Sequence, residues 1–147
     1  MEIDLKQRYQ TMLTLWFGLL ASVGMYFVLL VFRPPVANES GTPGSSLPII
    51  LFTANAMVMV LLSFVVKAKL LAQSVEKRDV LLVQKAMIIA CAMCDVSAIL
   101  GVVARLAFNT GREAVWLLLL GAAGIALHFP RRSQLEAASF KGEDLWK

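Results

Sequence analysis

The dominant feature of the chain is a set of long apolar runs separated by short polar segments. A helix crossing ~30 Å of hydrocarbon at ~1.5 Å per residue needs about 20 mostly apolar residues. Four stretches meet that requirement, at about 11–32, 47–66, 80–108 and 113–129. Lipid offers the backbone no hydrogen bonds, so each run is expected to be helical, with a β-barrel as the disfavoured alternative. Short connections make neighbouring helices antiparallel, and the expected fold class is an all-α, four-span antiparallel bundle.

Residues 1–10 are expected to be a cytoplasmic N-terminus and 131–147 a tail. The first run is too long for a secretory signal, whose apolar core is ~7 to 15 residues. Its flank carries Glu2 and Asp4, and no Ala-x-Ala site follows. Arg33-Pro34-Pro35 stops the first helix, and the Gly-, Ser- and Pro-rich stretch through Ser46 reads as a flexible loop. Pro48 suits the first turn of the second helix, Asn109-Thr110-Gly111 signals a tight turn, and Pro130 ends the fourth helix. The tail mixes Leu135, Phe140, Leu145 and Trp146 with charges, as either an amphipathic surface helix or a disordered end would.

Composition agrees with the pattern. Of the 147 residues 59% are hydrophobic and only 16% charged, and the mean hydropathy is +0.72. Soluble domains carry about 25% charged residues. The formal charge of +4 is not a nucleic-acid footprint, because the basic residues sit at the ends of apolar runs. Lys6, Arg8, Lys67, Lys69, Lys77, Arg78, Lys85, Arg131, Arg132, Lys141 and Lys147 fall on one side, with only Arg33, Arg105 and Arg112 on the other. This asymmetry predicts both termini inside, and a bacterial inner membrane is the expected location. Lys85 and Arg105, near opposite ends of the third run, read as snorkelling anchors.

Asp95 is the residue that most needs an explanation. It lies near the middle of the third run, where an acid costs about 2.5 to 3.5 kcal/mol. With the helices side by side, Ser22, Asn55, Asp95 and Gly121 share one depth. Hydrogen bonds from Asn55 and Ser22 would relieve the acid, forming a polar clasp, and an ion-handling carboxylate is the competing role. Gly18, Ala98, Gly121 and Gly124 supply small surfaces for helix packing.

The third span reads Ala92-Met93-Cys94-Asp95-Val96-Ser97-Ala98-Ile99-Leu100-Gly101, and a polar segment Ala72-Gln73-Ser74-Val75-Glu76 precedes it. This resembles the carboxylate helix of the ATP synthase proteolipid (subunit c) family. There an acid in an alanine-rich helix carries the translocated ion, after a polar cytoplasmic loop. The resemblance implies that Asp95 is the counterpart of that carboxylate. The run 47–66 has no glycine, and no Pro follows Gln73, so what is implied is a four-span relative that keeps the hairpin without the rotor role.

Other chemistry is sparse. Cys91 and Cys94 form Cys-x-x-Cys inside an apolar run, where small packing residues are the ordinary reading and redox or metal chemistry the alternative. His128, the one histidine, is expected at the interface near a helix C-terminus, with pH-sensing or haem ligation as the alternative. Trp16 and Trp116 suit interface belts, and the methionines suit gap filling. Asn38-Glu39-Ser40 matches a glycosylation acceptor. There is no phosphate-binding loop, dinucleotide fingerprint, zinc-protease motif or nucleophile elbow.

The expected function is therefore that of a non-catalytic, proteolipid-like membrane protein, a packing or assembly subunit without cofactor or metal. Its expected partners are the lipid bilayer and either further copies of itself or other membrane subunits. Proton or cation translocation through Asp95 is the alternative.

Overall fold

The computed structural model describes residues 2–32, 47–108 and 111–139, with side chains from Leu5 onward. Among these residues the fold is entirely helical: α1 (Glu2–Phe32), α2 (Leu47–Lys77), α3 (Val80–Phe108), α4 (Gly111–Leu127) and α5 (Arg132–Ser139). Three helices are long and apolar enough to cross a membrane, over Leu5–Phe32, Leu47–Lys77 and Val80–Phe108. A fourth span results only if α4 and α5, bent by 47° at their break, count as one. At 17 residues, α4 rises only about 25 Å at ~1.5 Å per residue.

Several boundaries differ from those expected from hydropathy. Residues 2–10, expected to precede the first helix, are part of α1. Ala72-Gln73-Ser74-Val75-Glu76, expected as a polar loop, forms the last turns of α2. Helix propensity and backbone hydrogen bonding continue through charged residues that a bilayer would not hold, so helix ends and span ends need not coincide. Of the tail, 132–139 is helical, with Leu135 and Ala138 buried against the bundle. Arg33-Pro34-Pro35, Asn38, Asn109-Thr110 and 140–147 lie outside the described residues.

The turn between α2 and α3 is very tight. Asp79 N donates to Ser74 O at 3.0 Å and Arg78 N to Val75 O at 3.3 Å, the paired bonds of a Schellman C-cap. That cap requires a left-handed residue, and Arg78 occupies it at φ 51°. Asp79 then caps α3, its Oδ1 accepting from Leu81 N at 2.8 Å.

The bundle is organised around α3. It packs on α1, α2 and α4, while α4 also touches α1 and α2; α1 and α2 do not meet among the described residues. The four long helices thus form a rhombus whose short diagonal is the α3–α4 contact. Glycine permits that closeness: a Cβ at Gly101 would lie 2.7 Å from Ala114 O, and one at Gly121 would lie 2.8 Å from Cys94 O and 3.2 Å from Ala98 Cβ. Gly124 faces Cys94 in the same way, its Cβ position 2.6 Å from the sulfur. Gly18, expected to serve helix packing, has nothing within 4 Å of its Cβ position.

Two expectations follow. Arg78→Gly should raise stability by about 1 kcal/mol by removing the left-handed penalty, and Asp79→Ala should lower it by about 1 kcal/mol, both measured by thermal melting in mild detergent. Gly101→Ala should destabilise by about 1–3 kcal/mol through overpacking against α4, although alanine is the better helix former. Gly18→Ala, in open space, should be neutral or stabilising by up to about 1 kcal/mol in the same melts.

Candidate functional site

Two polar features lie within the apolar bundle, and they differ in how well their hydrogen-bonding capacity is met. The first joins α2, α3 and the end of α4. Ser63 and Cys94 are fully buried, and His128 is 1% exposed. Ser63 Oγ lies 2.6 Å from Val60 O, 2.8 Å from His128 Nε2 and 3.4 Å from Cys94 Sγ. A hydroxyl has one proton and two lone pairs. With the proton donated to Val60 O, the oxygen accepts from His128 Nε2–H and from the Cys94 thiol, so Ser63 is saturated. The His128 ring also packs on Phe64, with centroids 4.4 Å apart.

The same network closes the C-terminal end of α4. The last carbonyls of a helix have no partners within it. Here Trp16 Nε1 donates to Ile125 O at 2.8 Å and Lys67 Nζ to His128 O at 3.3 Å. Trp16 also stacks edge-on against Phe129, with centroids 5.1 Å apart. Nearer the other end of the α3–α4 contact, Ser97 Oγ donates to Leu117 O at 3.0 Å. His128, just past the C-terminal end of α4 where the sequence puts it, and Trp16 are buried ties between helices. Trp116 is 64% exposed. Cys91 and Cys94 are buried and unbridged.

Asp95 is the second feature. It is half-buried, and its Oδ1 is buried with no hydrogen-bond partner among the described residues. The expected clasp with Asn55 and Ser22 is absent. Ser22 donates to Leu19 O, three residues back in its own helix, at 2.7 Å. Asn55 is on the exposed side of α2, beside the fully buried Ala56. The reason lies in helix phase. Asp95 and Val102 are seven residues apart and so share a face of α3. Val102 lines a groove with Val28 and Leu30 of α1, so Asp95 sits on the α1-facing side, and α2 lies on another side of α3. Equal depth along parallel axes does not bring residues together unless they also point toward one another.

Of the expected packing residues, Ala98, Gly121 and Gly124 lie in the α3–α4 contact. Ser63 was not singled out from sequence, and Lys67 figured there only as a basic residue of the inner side. A serine four residues before the lysine that ends an apolar run was a faint signal, and nothing in it named His128 as partner. Among the described residues no group of three or more His, Cys, Asp or Glu side chains is placed to hold a metal ion. No family model, curated protein or solved structure matches the chain.

Because Ser63 receives two bonds, its loss strands two buried donors. Ser63→Ala should cost about 1–3 kcal/mol, and His128→Phe, which leaves Ser63 its carbonyl acceptor and keeps the ring, should cost less. Melting of both variants in detergent checks the order.

Proposed function

We propose that this chain is a multi-pass protein of a bacterial inner membrane, with four spans and both termini inside. Its proposed role is as a non-catalytic packing or assembly subunit. In this reading α4 makes the fourth crossing, Arg131 and Arg132 follow it at the inner surface, and the basic residues concentrated on that side set the orientation. Asp95 supplies the polar contact to a second membrane-embedded chain, either another copy or a different subunit.

The observation that carries the reading is that Asp95 is only half-buried and that its enclosed Oδ1 finds no hydrogen-bond partner among the described residues, so the chain itself does not satisfy the carboxyl. An acid at mid-span without an internal partner is costly, and a donor from a neighbouring chain would offset that cost. The outer helices support an association surface as well. Within the span windows only 17% of α1 and 17% of α2 are buried, against 44% of α3. Van der Waals packing between such helices needs a polar contact to fix its register.

The test is the assembly state of the chain extracted from native membrane, followed by cross-linking and native mass measurement. Wild type and Asp95→Asn should retain a complex that Asp95→Leu loses, while all three melt alike as isolated chains. An unchanged assembly in Asp95→Leu overturns the proposal. Rapid carbodiimide labelling of Asp95, blocked at low pH or by an added ion, would instead favour translocation.

A further inference from the structure

A groove of about 570 Å³ runs between α2 and α4, lined by Thr53, Met57, Glu113, Trp116, Leu120 and Ala123 among others. Its lining on α4 extends from Glu113 to Ala123, about 15 Å at ~1.5 Å per residue. The chemistry is graded along that length. Glu113 and Trp116 stand at the end where α4 begins, and apart from Thr53 the remainder is apolar.

Each polar side chain that lines that end suits a cation. Glu113 is half-buried and has no hydrogen-bond or ion-pair partner among the described residues. Thr53 donates its hydroxyl proton to Ile49 O at 2.9 Å, which leaves its oxygen as an acceptor. Trp116 is 64% exposed, and an indole face attracts ammonium groups. The groove beyond them has room and surface for an unbranched hydrocarbon chain.

We propose that this groove binds a single-chain amphipathic cation, an ammonium group on an aliphatic tail, with the head at Glu113 and Trp116 and the tail toward Ala123. A free amphiphile fits better than a phospholipid. The phosphate of a zwitterionic headgroup would lie within a few atoms of its ammonium, beside the same carboxylate, and like charges so placed are unfavourable. The proposal shares only the membrane placement with the assembly role, since Asp95 takes no part in it.

The full-length protein in phosphatidylcholine nanodiscs, titrated with a dodecyltrimethylammonium brominated near its head, provides the test, with tryptophan fluorescence as readout. Saturable quenching is expected for this probe and not for the equivalent brominated dodecyl sulfate. Glu113→Gln should weaken the ammonium probe about tenfold without altering the melting temperature. Ala123→Leu, which fills the aliphatic end, should weaken it too. Non-saturable quenching, equal binding of the two probes, or unchanged affinity in Glu113→Gln overturns the proposal. Loss of binding when phosphatidylethanolamine replaces part of the phosphatidylcholine identifies a lipid as occupant and also overturns it.

Discussion

The close approach of α3 and α4 sets the position of nearly everything else in the bundle. Between helices in hydrocarbon there is little hydrophobic gain, so association depends on dispersion and on polar bonds. Both fall steeply with distance. Glycines at 101 and 121 bring backbone against backbone, and Gly124 makes room for the Cys94 side chain. That proximity places Ser97 on the Leu117 carbonyl and Cys94 against Gly124. The flanking helices α1 and α2 then pack on a ridge already formed.

A second consequence concerns the end of α4. The helix stops after Leu127, and Pro130 cannot extend it. An unmet carbonyl in an apolar setting costs several kcal/mol, and His128 N and Phe129 N bond the carbonyls of Gly124, Ile125 and Ala126. Donors from two other helices add to these bonds, Trp16 of α1 on Ile125 O and Lys67 of α2 on His128 O. His128 is held between Ser63 and Phe64 at the same place. This end of the bundle is therefore joined across all four long helices, and α5 continues from it with Leu135 and Ala138 turned inward.

The polar groups of the bundle divide by how they are satisfied. Ser63, Ser97, Trp16 and His128 are met within the chain. Asp95 is not, and neither is Glu113 at the mouth of the α2–α4 groove. An internal bond ties helices together and uses up the group that makes it, whereas an unmet acid keeps its capacity for something outside the chain. Both functional proposals rest on that distinction.

The apolar runs and their breakers determined the helices, because a long apolar segment has one economical backbone state and proline, glycine and charge interrupt it. The run at 80–108 matches α3 to the residue, and 47 marks the start of α2. Small residues at 98, 121 and 124 were legible as packing surface for the same reason that composition is: size is a property of the residue. Partnership is a property of the arrangement. Asn55, Ser22 and Asp95 share a depth that can be counted along the chain, but the rotation of each helix about its axis came from the packing of α1 and α2 on opposite flanks of α3 and α4. Only that packing separated the expected clasp and joined Ser63 to His128, residues 65 apart in sequence, because a hydrogen bond requires a direction as well as a height.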